Sequence, residues 1–365
     1  MKLKTAYKLI VIVLLTVILF LMSSGTSRLI LIIIVIIESS IVFKTLFLDT
    51  KRKEWVNNLA IAIFSLIIFL FLLESVFMFV KRSDPSGIPL ASQNWYNTYF
   101  YPYINSYGFR DEEPNKTSES NIFFVGDSFT EGDGIKDTKD RFSNVVKAKL
   151  LNSSKALNVY NLGLQGEDTR DEYESMMKFI KKSNIKPKCI VLQYFGNDIE
   201  KVAEKNGLKF PEFKPYKQLN PIVKNLVSKS YLLNYFYWPW FRTKVEVFVP
   251  YFKFLEKGYS TDSIFYQHTQ DLRLFFNYSK DNNIPFIVVI FPFMHDVDVS
   301  KKFFVDKLKY FFDENKVDYI DVCPLIKDLS VEKRIVNSSD GHASVYVNKL
   351  VGNALYEKIS RLNFN

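Results

Sequence analysis

Cysteine and histidine are nearly absent from this chain: its 365 residues include two of the first and three of the second. Cys189 and Cys323 each lie in an apolar, strand-like run, where a buried free thiol is the ordinary state. A disulfide between them, outside the cytoplasm, is the open alternative. No Gly-Lys-Ser/Thr phosphate loop occurs, which excludes the common nucleoside-triphosphate architecture. The formal net charge of +9 is not gathered into an Arg/Lys stripe, so no nucleic-acid face is expected. The Gly-x-Ser-x-Gly elbow is missing as well, because Thr130 stands where its second glycine belongs. No signature for an organic cofactor remains.

What is present concentrates at Asn121–Gly134, NIFFVGDSFTEGDG. The run Ile122–Val125 stops at Gly126-Asp127-Ser128, the pattern of a buried strand that turns sharply. In an open parallel sheet, chemistry gathers just beyond the carboxyl ends of strands, which is where Ser128 is expected. A serine hydroxyl is a weak nucleophile until a base stands beside it. One of the three histidines lies in Ser339-Asp340-Gly341-His342, just ahead of a helix-like segment, Val345–Leu362. A carboxylate two residues before a histidine can take the Nδ1 proton and leave Nε2 free to accept one from serine. Val159–Gly166 continues a short strand that breaks at glycines, allowing backbone N–H groups to approach a ligand. Ile190–Asp198 is an apolar strand ending in Gly196-Asn197, and the Asn197 amide can donate to a developing oxyanion.

These four blocks, in this order, resemble the SGNH (GDSL-type) hydrolase family over roughly Asn105–Leu362. The resemblance implies that Ser128 is the nucleophile and lends its backbone N–H to an oxyanion hole completed by Gly166 and Asn197. It also gives Asp340 and His342 the roles of orienting acid and base. The family's usual spacing puts the aspartate three residues before the histidine, and Ser339 occupies that place here. The Asp-x-His spacing is similar to a variant in relatives that modify polysaccharides. Asn105–Asp111, NSYGFRD, is similar to the lead-in of membrane-attached members.

The remaining polar candidates read differently. His295 follows the strand Pro285–Phe291 and belongs on the same rim as Ser128, as a substrate-pocket or surface residue. His268 lies within the helix-like stretch Asp262–Asp281 and reads as solvated or packing. Glu131, Asp133, Asp137 and Asp140 lack the spacing of a calcium loop, so a solvated acidic loop is expected and no metal. Four Asn-x-Ser/Thr sequons occur, at Asn115, Asn152, Asn277 and Asn337; a glycan on the last would crowd Asp340.

The first 80 residues suit a different solvent. Three transmembrane helices are expected, at about 9–25, 29–48 and 58–80, forming a membrane anchor over 1–80. Lys2, Lys4 and Lys8 precede the first span, and Lys44, Lys51, Arg52 and Lys53 separate the second from the third. The positive-inside rule therefore makes the amino terminus cytoplasmic and places everything after Val80 outside, in a multi-pass protein of the cell membrane. A rival reading makes Leu9–Met22 a cleaved signal, which leaves the later domain on the same side. Glu38 and Glu74 read as interface-near or helix-pairing carboxylates.

After a polar lead-in at 81–120, strands and helix-like stretches alternate through 121–365. The strands are expected at Ile122–Val125, Leu157–Tyr160, Cys189–Tyr194, Pro285–Phe291 and Val317–Val322. Helices are expected at Asp140–Leu151, Thr169–Lys182, Asp262–Asp281 and Ser300–Asn315. This is an α/β class pattern: a three-layer α/β/α fold with about five parallel strands, in the SGNH-hydrolase, flavodoxin-like manner. An aromatic-rich insertion at 200–261 interrupts it, either as a lid over Ser128 that grips an acyl chain or meets the membrane interface, or as a small packed subdomain. Together these readings imply a membrane-anchored serine esterase acting outside the cytoplasm on a carbohydrate O-acyl or lipid ester. An O-acyltransferase that modifies a surface polysaccharide with the same triad is the alternative, and a non-catalytic carbohydrate-binding module the third.

Overall fold

The computed structural model describes residues 25–47, 54–115, 120–152, 157–211, 219–244 and 248–362. The chain divides into two compact units. One comprises the described residues up to Arg82 together with Gly87–Asn94 and the described part of 214–244; the other holds Ser83–Ser86, Trp95–Phe213 and 245–365.

In the first unit, α1 (Gly25–Phe47) and α2 (Glu54–Phe77) are apolar helices of 23 and 24 residues. They overlap the second and third expected segments, each starting about four residues earlier; the first lies outside the described residues apart from Gly25. Both turn large apolar side chains outward, among them Ile33, Ile37, Leu59, Leu66 and Phe69. Ser40 and Ser75 return their hydroxyls to the carbonyls of Ile36 and Phe71, one turn back, at 2.7 and 2.9 Å. Such back-bonding satisfies a polar group in an apolar helix. Among the described residues, no helix is long and apolar enough to cross a membrane. A short helix, α3 (Leu90–Tyr99), begins in this unit.

The second unit is built on five parallel strands: β1 (Asn121–Gly126), β2 (Asn158–Gly163), β3 (Cys189–Tyr194), β4 (Phe286–Ile290) and β5 (Asp318–Asp321). Their order is β2-β1-β3-β4-β5. The sequence Ile-Phe-Phe-Val in β1 and Cys-Ile-Val-Leu in β3 is buried throughout, as expected of central strands covered on both faces. α4 (Ser128–Glu131) follows β1 directly, and α5 (Phe142–Leu151) leads into β2. α6 (Thr169–Ser183) follows β2, and α7 (Glu200–Lys205) follows β3. Three-layer α/β/α architecture with five parallel strands is therefore observed, with α6 beside a long helix, Asp262–Asp281, and α5 beside the terminal helix Val345–Ser360.

Four expectations need correction. β2 runs on to Gly163 rather than ending at Tyr160, because Asn161 and Leu162 stay in register with Phe124 and Val125. The helix expected from Asp140 starts at Phe142, after a 3₁₀ turn at Thr138–Asp140. The helix expected over Ser300–Asn315 is interrupted by a π-helical stretch, Lys301–Val305. The aromatic insertion is not one body. α8 (Pro221–Lys229) and α9 (Tyr231–Lys244) belong to the first unit, whereas α10 (Phe248–Ser260) lays Phe254, Leu255 and Tyr259 into the core of the second. The long helix after it is α11 (Asp262–Asp281), followed by α12 (Asp306–Glu314) and α13 (Val345–Ser360). An antiparallel hairpin, β6 (Ile335–Asn337) with β7 (Asp340–Ala343), had no counterpart in the sequence reading. Cys189 and Cys323 are both free and buried, the first of the two states left open.

Candidate active site

The strand-to-helix turn at Gly126-Asp127-Ser128 is fixed by residues from neighbouring strands. The Asp127 carboxylate caps α4 by accepting from the Phe129 N–H at 2.9 Å. Gln193, at the end of β3, accepts at one oxygen from the Asp127 and Thr130 N–H groups and from the Thr130 hydroxyl, at 3.1, 3.2 and 2.9 Å. Asn161 of β2 donates to the Thr130 carbonyl at 2.6 Å and to Ser143 at 2.8 Å. A Cβ on Gly163 would stand 2.2 Å from the Glu131 nitrogen, so only glycine lets β2 end this close to α4. Sequence reasoning missed Gln193, Asn161 and Gly163; a polar residue inside an otherwise apolar buried strand was the available signal.

Two buried arginines hold the loop after the nucleophile. Arg110 donates to the carbonyls of Gly132, Ile135 and Tyr99, each at 2.7 Å. Its guanidinium lies 4.9 Å from the ring centre of Phe100, and burial lowers its pKa to about 10. Arg141 pairs with Asp111 at 3.0 Å and also donates to the Arg110 carbonyl. The NSYGFRD segment thus serves the site structurally. It buttresses a loop in which Glu131 and Asp133 are buried, at 3% and 1% exposure. The expectation of a solvated acidic loop fails for these two, though Asp137 is exposed. Glu131 accepts from the Gln165 N–H at 2.7 Å. Asp133 accepts from the Tyr96 hydroxyl at 2.7 Å and from Gln165 at 3.1 Å. Burial raises Glu131 to about 8 and Asp133 to about 6. Among the described residues no acidic group is arranged to hold a metal.

The β6–β7 hairpin delivers the other half of the site. Asp340 and His342 alternate along β7, so both side chains leave the same face of the strand. His342 Nδ1 lies 2.6 Å from Asp340 Oδ1, which also accepts from the His342 N–H at 3.1 Å. His342 Nε2 lies 2.8 Å from the Ser128 Oγ. Burial works against the charged imidazole, but the Asp340 carboxylate, backed by Asp133 and Asp127, outweighs it and raises His342 to about 9. Burial likewise works against charge on Asp340, yet His342 holds its carboxyl below the ordinary range. The structure brings Ser128, Asp340 and His342 together, on a strand end and a hairpin 214 residues apart.

The remaining candidates fall as follows. Asn197 donates from Nδ2 to Asp127 Oδ2 at 3.1 Å, which leaves its second amide hydrogen for a ligand. Gly166 lies at the exposed turn after β2, with φ +77° and open space where a Cβ would be. His295 is exposed, and its Nε2 sits 3.1 Å from where a Cβ of Gly341 would project, so it borders the catalytic hairpin. His268 is buried and pairs with the Tyr194 hydroxyl at 2.7 Å; burial lowers it to about 3, which makes it a packing residue and not a solvated one. A line of rings runs from the hairpin into the core: His342 and Phe129 are 5.0 Å apart, Phe129 and Phe195 4.4 Å, Phe195 and Phe293 5.4 Å.

A serine, an imidazole and a carboxylate in this order constitute an acyl-transfer apparatus. Residues 122–231, which include the nucleophile turn, Gly166 and Asn197, match the family model described as GDSL-like Lipase/Acylhydrolase. This match supports an ester-hydrolysing enzyme. The chain is also similar to solved structures. A member of the lipolytic G-D-S-L family from Veillonella parvula is 13% identical, with TM-score 0.39, covering 67% of this chain and 100% of the other. The psychrotrophic esterase EstA from Pseudoalteromonas sp. is 12% identical, with TM-score 0.36, covering 66% and 97%. Axe2, an acetylxylan esterase from Geobacillus stearothermophilus, is 13% identical, with TM-score 0.36, covering 67% and 95%. No curated protein matches. The matched region ends before the hairpin, so Asp340 and His342 are placed by geometry and not by this match.

Proposed function

We propose that the chain is a membrane-anchored serine esterase whose catalytic domain lies outside the cytoplasm, acting on a carbohydrate O-acyl or lipid ester. Ser128 attacks the ester carbonyl while His342 Nε2 takes its proton, and Asp340 holds the imidazole in the tautomer that makes this possible. The Ser128 and Gly166 N–H groups and the Asn197 amide receive the oxyanion. The tetrahedral intermediate collapses to an acyl-enzyme as His342 returns the proton to the departing alcohol. Water, deprotonated by the same imidazole, then frees the acid.

The observation that carries this reading is the 2.8 Å contact between Ser128 Oγ and His342 Nε2, with Asp340 behind it at 2.6 Å. Buried Phe129 packs beside His342, and half-buried Phe195 packs on Phe129, so Phe195 is the apolar side chain of this row with surface left for an acyl group. Membrane attachment is supported by the outward Leu, Ile and Phe of α1 and α2 and by the internally satisfied serines there. Fluorophosphonate labelling and turnover of p-nitrophenyl esters test the chemistry. Wild type is expected to react covalently and Ser128→Ala to lose both activities; turnover retained in purified Ser128→Ala overturns it.

A further inference from the structure

The segment 214–244 has an unusual charge balance: six Lys and Arg residues, eight aromatic residues and no Asp or Glu. Its described part forms two helices with separate faces. On α9, Asn234, Tyr237, Trp238 and Phe241 are buried, whereas Leu233, Phe236 and Trp240 point outward at 46%, 60% and 50% exposure. On α8, Ile222, Val223 and Leu226 are exposed beside Lys224. An amphipathic helix with aromatic and aliphatic residues on one side, bordered by lysine, has the composition of an element lying in a membrane interface.

The attachment of this pair is specific. Glu74, near the end of α2, is buried, and its carboxylate accepts from the Ser230 hydroxyl at 2.7 Å and from the Tyr231 and Leu232 N–H groups at 2.8 and 3.0 Å. It therefore caps α9 from another helix, where its charge also favours the helix dipole. Phe77 packs on Tyr235 and Phe236, with ring centres 4.8 and 5.5 Å apart. The outward face of α8 and α9 thus belongs to the same compact unit as the apolar faces of α1 and α2.

We propose that α8 and α9 form an interfacial element that binds the anionic headgroup surface of a lipid bilayer, inserting Leu226, Leu233, Phe236 and Trp240 while Lys224 and Lys229 meet lipid phosphates. The Glu74 cap fixes this element to the end of α2. The apolar side chains supply burial, and the absence of any acidic residue removes repulsion from an anionic leaflet; each basic side chain near such a surface strengthens binding by roughly fivefold. The inference rests on the reading that α1 and α2 face lipid, and its test separates the two.

The full chain is reconstituted in vesicles of phosphatidylcholine with or without phosphatidylglycerol. An environment-sensitive fluorophore is placed, one site at a time, at Leu233→Cys, Phe236→Cys, Leu66→Cys in α2 and Tyr310→Cys on α12; the native cysteines are buried. Spin-labelled lipids serve as quenchers. Quenching at 233, 236 and 66 but not at 310 is expected, and quenching at 233 and 236 should deepen with phosphatidylglycerol and weaken in K224Q/K229Q. Quenching at 66 alone overturns the inference and leaves the anchor standing. Absence of quenching at all four sites overturns both. A blue shift at 233 and 236 without lipid quenching assigns the face to another protein surface, a second copy included, and overturns it as well. Quenching that is equal with and without phosphatidylglycerol overturns the recognition of anionic lipid.

Discussion

The Asp340–His342 pair makes a pH prediction that can be worked through. With His342 raised to about 9 by the carboxylates around it, nearly all of the imidazole is protonated at neutral pH. Only the neutral form can accept the Ser128 proton, so kcat/KM should climb about tenfold per pH unit between pH 6 and 8 and level off near the His342 pKa. Asp340→Asn removes the first of the groups that raise this pKa and leaves burial, which lowers it. The inflection should then fall by more than one unit, toward or below the ordinary histidine value, while the plateau drops roughly 10³–10⁴-fold because the imidazole loses its orienting acceptor. The stability linkage has a definite sign. A histidine whose folded pKa exceeds its unfolded value contributes stability that is complete below about 6.5 and disappears as pH rises through about 9. For a shift of this size the contribution is on the order of 3 kcal/mol. The assay is kcat/KM for p-nitrophenyl acetate from pH 5.5 to 10, with spontaneous hydrolysis subtracted, alongside urea midpoints at pH 6 and 9.5. A wild-type profile that is flat from pH 6.5 upward, or an inflection unmoved in Asp340→Asn, refutes the electrostatic account.

Asn197→Ala should lower kcat by roughly 10²–10³ with little change in KM, since its amide is needed chiefly when the oxyanion forms; an unchanged kcat removes Asn197 from the hole. Gly163→Ala forces a methyl against the Glu131 backbone, and a loss of about 1–3 kcal/mol in urea denaturation is expected, with activity falling as the nucleophile turn shifts. Arg110→Leu strands three carbonyls that one guanidinium now satisfies, and should cost on the order of 3 kcal/mol or more, read as a lowered Tm.

Strand existence was legible in the sequence because β1, β3 and β4 are apolar runs, broken in β3 only by Gln193, that end near Gly, Gly-Asn or Pro, and a buried parallel strand suits such a run. Ser128, Asp340 and His342 stood out as candidates for a related reason: Ser128 by its place after a strand-ending glycine, and Asp340 and His342 by residue type and i, i+2 spacing. The β6–β7 hairpin was not, because Ile335–Ala343 has neither sustained alternation nor an Asn-Gly turn to announce it. Glu131 and Asp133 were misread because their burial depends on Arg110, Tyr96 and Gln165, partners that folding alone brings near. The division of the aromatic insertion was hidden as well. Tyr, Trp and Phe in 231–254 look alike on paper, and what distinguishes α9 from α10 is tertiary: the Glu74 cap and Phe77 on α9, and the core that takes Phe254 and Tyr259 of α10.

The hairpin that bears Asp340 and His342 is made long after Ser128, with His342 lying 214 residues further along the chain. Acid and base come as a ready-made couple, so a single long closure switches the site on. During synthesis the growing polypeptide therefore carries Ser128 without its imidazole partner until the hairpin has emerged and docked.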